Sequence, residues 1–493
     1  MPPALPANLA EAIGRIRGVL GDAGCLDAPD DVAPFLVDFR GLYRGATPLV
    51  ACPASTADVA AVLAICNECG VAVVPHGGNT SYCGGATPHE HGDEIVLSLR
   101  RLDRIREVDA DNFSMTVEAG CLLAEVQATA DAADRFFPLA LGSEGSCQIG
   151  GNLSTNAGGL NAVHYGVARD LVLGLEVVLA DGRVIDGLTS LRKDNTGYDL
   201  RHLFIGAEGT LGVITAASLK LFPRPRSVET AFLAVPDIAA AVQLLARMRA
   251  ATGDAVTSFE FLPRIAVELA ERHIPGVTDP LDRPYEAYVL CEVATARDDP
   301  ALRGLLEDTL DEAMDAALVL DAVIAASLAQ RAALWKLRES VPEAQRAEGA
   351  SIKHDVSVPV SRIVEFIEEA DRALSRLRIL YNISRAISST LDLKQILTSA
   401  VENLGSIPQI DRCTVWLVDK DGFELSVAVS HGIDADKLSG AYLFLDEDGS
   451  AIARAYKSRQ MQIVSRVDSD EKHLAQLFAQ RTLMVVPLPG EDR

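Results

Sequence analysis

Pro75-His76-Gly77-Gly78-Asn79-Thr80-Ser81 and Leu141-Gly142-Ser143-Glu144-Gly145-Ser146-Cys147-Gln148-Ile149-Gly150-Gly151-Asn152-Leu153-Ser154-Thr155-Asn156-Ala157-Gly158-Gly159 are the two stretches on which the fold turns. Each sets glycines among Asn, Ser and Thr just after an apolar, strand-like run, residues 71–74 and 136–141. Backbone without side chains can approach a bulky ligand closely, and its N–H groups can converge on phosphate oxygens. Either run alone is equally well explained as a pair of surface turns. Two strand-linked runs in one chain argue for a single large phosphorylated cofactor. Neither spells G-x-G-x-x-G or G-x-x-x-x-G-K-S/T, so the Rossmann and P-loop motifs are both missing.

Around these stretches the composition is that of a globular chain. At ~100–200 residues per domain, 493 residues suggest roughly three domains. A formal net charge of −24 repels phosphate backbones and anionic lipid, which argues against nucleic acid and membrane surfaces as partners. An anionic substrate then needs a local basic pocket. The first residues lack the basic flank and apolar core of a secretory signal, and no run of ~18 apolar residues marks a membrane span. The nine cysteines form no disulfide framework. Cys66 and Cys69 lie in an Ala/Val-rich helical stretch and are expected as buried small residues rather than as a redox or zinc pair. A reducing cytoplasm is the expected compartment.

Strands and helices alternate from residue 50 to 221. Ser55 opens a helix with Val59, Val62, Leu63, Ile65 and Cys66 at helical spacing, closed by Gly70. Strands are expected at 95–99, 115–117, 173–179 and 211–219, with a hairpin at Asp181-Gly182. From 226 the glycine clusters stop. Strands at 231–235, 259–262 and 285–293 alternate with alanine-rich helices, one capped by Asp299 with Pro300 first and Leu302, Leu305, Leu306 and Leu310 on one face. This predicts a sheet with helices on one side. The character changes again at Leu374-Ser375. A helix over 377–387 breaks at Ser388-Ser389-Thr390, Asp392 and Gln395 make a capping box, and Asp421-Gly422 joins two strands at 413–418 and 423–429. Further strands are expected at 461–467 and 482–488. The expected fold class is α+β. Its parts are an N-terminal helical segment (1–37), a cofactor-binding domain (38–225), a substrate or cap domain (226–374) and a last domain (375–493).

The two glycine stretches, with residues 191–200 (L-R-K-D-N-T-G-Y-D-L) and 205–214 (I-G-A-E-G-T-L-G-V-I), strongly resemble the FAD-linked oxidoreductases of the vanillyl-alcohol oxidase/p-cresol methylhydroxylase (PCMH) type. Within that group the likeness is greatest to D-2-hydroxyglutarate and D-lactate dehydrogenases, over about residues 38–374. The resemblance implies a non-covalent FAD between two α/β subdomains. Pro75, Gly77, Gly78, Asn79, Thr80 and Ser81, with Gly142, Ser143, Ser146, Cys147, Gly150 and Gly151, would hold its pyrophosphate. Asn152, Thr155, Asn156, Gly158, Gly159, Tyr165 and Gly166, with Gly206, Glu208, Gly209, Gly212, Val213 and Ile214, would line the adenosine and flavin. Covalent relatives often carry His after the Gly-Gly of the first loop. Here that residue is Asn79, so a histidyl bond is not expected there; His76 remains a candidate for one, with loop packing its expected role.

The implied reaction moves a hydride from C2 of a 2-hydroxy acid to the flavin while a base takes the hydroxyl proton. By the same resemblance Arg338 and Lys353 anchor the substrate carboxylate; the plain alternative is a solvated cation on a helix and another in a strand. The family often has a hydroxyl residue four positions after that Arg, where this chain has Pro342. It also lacks the branch's His-Gly-x-x-Gly-Asp-Gly-Asn-x-His stretch and later Glu-His pair, which carry a divalent metal and the proton-abstracting histidine. No catalytic or metal-ligating residue is therefore assigned; His89-Glu90-His91 falls in a Gly/Pro-rich loop and is expected in solvent. Residues 377–404, 414–418, 421–422 and 461–467 resemble a GAF domain, a small-molecule sensing module. Cap and GAF segments are both expected to be partial, and Cys413 is expected in the strand core. Three outcomes stay open. The chain is a dehydrogenase of small 2-hydroxy acids with an unknown electron acceptor, impaired by the missing stretch. It is a non-catalytic flavin binder with a GAF sensory or dimerisation module, its helix stripe at 377–387 serving a homodimer seam or a core equally well. Or it joins two fragments.

Overall fold

Ser55 caps the helix Thr56–Cys69 by accepting the Asp58 N–H at 3.2 Å, and Gly70 ends it with a left-handed residue. The chain then enters the strand Val73–His76, which pairs in parallel with Ile95–Ser98. Val50–Ala51 flanks that strand in parallel and Cys25–Leu26 closes the edge antiparallel. The computed structural model describes residues 5–349, 353–389, 393–405, 410–419, 423–433, 442–445, 450–464 and 483–487. It divides into two compact units, Met1–Val356 and Ser357–Arg493.

The first sheet buries Val59, Val62 and Ile65 against Leu9, Ala12 and Ile16 of the N-terminal helix Ala7–Leu20. Val178 and Val213 of a second sheet complete this core. That second sheet is antiparallel, in the order Ile105–Asp109, Ser114–Glu118, Val213–Lys220, Val172–Val178, Val184–Gly187, and includes the expected hairpin. Glu118 and Glu176 brace it internally. Glu118, fully buried, takes hydrogen bonds from Arg104 Nη2 (2.9 Å) and Arg106 Nε (3.1 Å), and Arg106 reaches on to Glu176 at 3.1 Å. Burial alone would raise both carboxyls, but the arginine bonds outweigh it and hold both below the usual glutamate range.

A third sheet follows, in the order Val256–Pro263, Ala287–Thr295, Ser227–Val235, Asp321–Ile324. The expectation of helices on one side is corrected here, because both faces are covered. Ala231, Leu233 and Val235 pack with the helices Ile238–Ala251 and Leu302–Asp315. Phe232, Tyr288 and Leu290 pack with the helices Arg264–His273 and Leu328–Glu348. The central strand reads Ala-Tyr-Val-Leu-Cys-Glu-Val, apolar on both sides as a doubly covered strand must be. Two smaller corrections concern the helix after Asp299. It starts at Leu302, with Asp299 Oδ1 accepting the Ala301 N–H ahead of it, and Leu305 lies in solvent while Leu302, Leu306 and Leu310 are buried.

In the second unit one helix runs unbroken over Ile363–Ser389, so no structural seam falls at Leu374-Ser375. The reason is local: those residues contain neither Gly nor Pro. A second helix, Leu393–Gly405, packs on an antiparallel sheet of Cys413–Val418, Glu424–His431 and Tyr442–Phe444. Leu425, Leu443, Leu445 and Ile452 form its core, with Ile452 carried on the helix Ala451–Ser458. Gln462–Val464 pairs with Leu483–Val485. The Asp392 capping box and the Asp421-Gly422 turn lie outside the described residues.

Candidate functional site

Val73–His76 delivers the first glycine loop to the second. A Cβ on Gly78 would stand 2.3 Å from the Ser146 carbonyl oxygen and 2.8 Å from Cys147 Cα, so only glycine lets the loops meet. A third loop, residues 205–212, joins them. Gly206 and Glu208 donate their N–H groups to Leu153 O (3.0 Å) and Ser154 O (2.9 Å) of the short helix Ile149–Ser154, while Gly209 packs against Pro75. Three residues with side chains take left-handed backbone here: Asn79 (φ 51°), Asn156 (φ 49°) and Glu208 (φ 51°). Two are asparagines, which tolerate that region best, and both are tied down. Asn79 Nδ2 donates to Val37 O at 2.8 Å, and Asn156 Oδ1 accepts the Arg169 N–H at 3.0 Å.

Whether the loops fit a dinucleotide can be asked of their free faces. A Cβ added at Gly142, Gly145, Gly151 or Gly158 meets nothing within 4 Å, so bare backbone faces open space at four points. Beside it, Gln148 is 8% exposed and its Oε1 is buried with no hydrogen-bond partner, next to Gly77. An orphaned acceptor on a bare backbone cradle fits a ligand rich in hydroxyls and phosphates.

The sequence-selected residues fall into distinct groups. Gly150, Gly159, Gly166 and Gly212 have their side-chain space filled by Ala119, Ala140, Asp170 and Val177, so their need for glycine is packing. Cys147, Asn152, Val213 and Ile214 are buried. Thr155 donates to Gly151 O at 3.0 Å, Ser146 to Ser143 O at 3.3 Å, and Ser81 accepts the Cys83 N–H at 3.3 Å; Thr80 is half-buried. Tyr165 stands edge-on to Phe136 and Phe222, where burial raises its hydroxyl. His76 is buried against Phe35, its Nδ1 2.9 Å from Ala86 O, and burial lowers its pKa.

On the other side, the helix Leu328–Glu348 carries the expected cation. Arg338 Nε and Nη2 both donate to Glu260 Oε2, at 2.7 and 2.6 Å. Pro342 withholds the N–H that would bond the Arg338 carbonyl. Arg346 of this helix lies 5.2 Å over the Phe39 ring, which stands edge-on to Tyr82 just after the first loop, so the helix faces the glycine cradle; burial, then the Glu144 charge of the second loop, raises Glu339. Lys353 is not brought to Arg338: its Nζ donates to Gln345 Oε1, two helical turns further along. Glu260, Gln148 and Asn161, which accepts from Ser258 Oγ at 2.9 Å, are site residues that sequence reasoning missed. Only the isolated acid in the apolar run Phe-Glu-Phe-Leu gave a signal. His89 and His91 are exposed as expected, and among the described residues no three His, Cys, Asp or Glu side chains are grouped to hold a metal ion.

Comparison with known proteins follows the same division. The family described as FAD binding domain matches residues 47–187, and FAD linked oxidases, C-terminal domain, matches 224–385. A "D-2-hydroxyglutarate dehydrogenase, mitochondrial" of Danio rerio is 35% identical over 460 residues, covering 92% of this chain and 83% of that protein. The chain belongs to the FAD-linked D-2-hydroxyacid dehydrogenase family. A "Probable D-2-hydroxyglutarate dehydrogenase, mitochondrial" of Oryza sativa subsp. indica is 42% identical over 368 residues, 74% of this chain. This D-2-hydroxyacid dehydrogenase homologue spans 65% of that rice relative's length. In fold it is similar to p-cresol methylhydroxylase, with a TM-score of 0.55 at 16% identity over 69% of this chain and 72% of that one. Residues 392–493 match a GAF domain, so the family's α+β PCMH-type fold here carries a further module. No helix of the described residues is long and apolar enough to cross a membrane.

Proposed function

We propose that this chain binds FAD non-covalently in the glycine cradle and takes D-2-hydroxy acids as substrates, with Arg338 on the carboxylate side. The observation that carries this is the meeting of glycine loops at Gly78 and Ser146, with Arg338 held by Glu260 on the cap. When bound, FAD supplies a two-electron acceptor for a hydride leaving C2 of the substrate. The chain's own part is to bind and orient. Gly142, Gly145, Gly151 and Gly158 leave room for a diphosphate, and Gln148 offers an acceptor to a hydroxyl. The guanidinium of Arg338 clamps a planar carboxylate, fixing which face of C2 is presented. Non-covalent binding is supported by both candidate side chains being engaged, Asn79 with Val37 and His76 with Ala86 and Phe35. The absence of the family's histidine stretch from the sequence leads us to expect slow turnover.

Purified full-length protein should be yellow and should release its flavin on acid denaturation. D-2-hydroxyglutarate should perturb the bound-flavin spectrum and reduce it slowly under anaerobic conditions. Colourless protein that takes up no FAD would sink the proposal; flavin left in the acid pellet would sink the non-covalent part alone.

A further inference from the structure

We propose that Glu260 is a positioning residue for Arg338, holding one edge of its guanidinium so that the other edge is offered to a 2-hydroxy acid carboxylate. This rests on Arg338 being the carboxylate anchor. A long arginine side chain has many rotamers to lose on binding, so an unrestrained guanidinium is a poor clamp. Arg338 is restrained. Its Nε and Nη2 converge on the single oxygen Oε2 of Glu260, and no other hydrogen-bond partner of Arg338 is present among the described residues. A guanidinium has five N–H donors, so the Nη1/Nη2 end stays available for a second, bidentate partner.

The strand Val256–Pro263 explains the direction. Phe259 and Phe261 pack into one core, while Leu262 packs into the other together with Leu334, Leu337 and Val341 of the helix that bears Arg338. Alternation places Ser258 and Glu260 on the Leu262 side. Ser258 binds Asn161, just beyond the second glycine stretch, so this side of the strand abuts the cradle. The neighbouring pair is built differently. Glu292 Oε2 takes Arg331 Nε (2.9 Å), Trp335 Nε1 (3.1 Å) and Thr230 Oγ1 (2.9 Å) at once, which saturates it. Glu260 accepts from Arg338 alone among the described residues. An acid fixed by three donors belongs to packing; an acid with one partner can steer that partner.

The test titrates D-2-hydroxyglutarate into the FAD-loaded full-length chain and follows the flavin spectrum. Glu260→Ala should raise Kd about tenfold at unchanged FAD content, and Glu260→Gln, which keeps an acceptor, about threefold. A merely structural role would lower the thermal midpoint and leave Kd unchanged. Should Glu260→Ala fail to retain FAD, Glu260→Gln decides alone, and a wild-type Kd in it overturns the proposal. Tighter binding in Glu260→Ala also overturns it, because Glu260 would then be competing with substrate. If the wild-type protein gives no spectral change, the hydroxy-acid reading itself fails and takes the positioning role with it. If it responds and only the Glu260 variants match it, the positioning role fails alone.

Discussion

The cradle and the cap of the first unit are built from different materials. In the cradle the working surface is main chain. Gly78 against Ser146, the left-handed Asn79, Asn156 and Glu208, and the open faces over Gly142 and Gly151 are all backbone features. In the cap the working groups are long side chains, Arg338 and Glu260, held by one another across distant elements. A backbone site tolerates almost no added atom at its contacts, whereas a side-chain site can lose one group and keep its frame. The two regions should therefore fail differently.

The sharpest break is Gly78→Val. The new side chain cannot share space with Ser146 O, so the loops must part, and FAD affinity should fall more than a hundredfold, about 3 kcal/mol or more. Gly304→Ala, whose Cβ enters open space on the cap helix Leu302–Asp315, should bind FAD within about twofold of wild type. Flavin fluorescence quenching on titration measures both, and equal losses in the two variants would refute the backbone account. In the cap, Arg338→Met should leave FAD binding intact and raise Kd for D-2-hydroxyglutarate about 10–100-fold, the worth of a charge-assisted pair. Loss of FAD together with substrate would show that the regions are not separable.

That difference also decides what could be read in advance. Glycine and asparagine at fixed positions are demanded by local backbone geometry, so residues 75–81 and 141–159 announced the cradle and the strand before it. Helix Thr56–Cys69 was legible for the same reason, through Ser55, Gly70 and one apolar face. Glu260 was not, because its partner lies on a helix far along the chain and a lone acid in a strand has many explanations. The both-sided cap sheet was missed because one continuous apolar strand does not say how many layers cover it. The helix Ile363–Ser389 was started too late, at 377, because a change of composition is not a change of backbone; its end at 388–390 was legible.

The brace at Glu118 and Glu176 is expected to matter about as much as the cap pair, but to stability rather than to binding. Each carboxyl titrates lower in the folded chain than in the unfolded one, so the unfolded chain takes up protons first as pH falls. The stabilisation is complete above the ordinary glutamate value of 4.5 and is lost as pH drops through the depressed folded values. Glu118→Gln should cost about 1–3 kcal/mol at neutral pH and flatten the acid limb of a denaturant-stability profile. An acid limb unchanged in the variant would place the proton uptake elsewhere.

The smallest effect has the most particular sign. Gln148 keeps a buried acceptor unpaired in the ligand-free chain, which costs about 1–3 kcal/mol unless something donates to it. Gln148→Met keeps the length and removes the acceptor. The apoprotein should therefore gain stability while FAD binds about 3–10-fold more weakly, since the group that a cofactor hydroxyl would satisfy is gone. Thermal melts with and without FAD read both quantities from one preparation, and the gap between them should shrink. A variant that gains stability at full FAD affinity would mean that the orphaned oxygen faces packing rather than ligand, and the cradle would then rest on main chain alone.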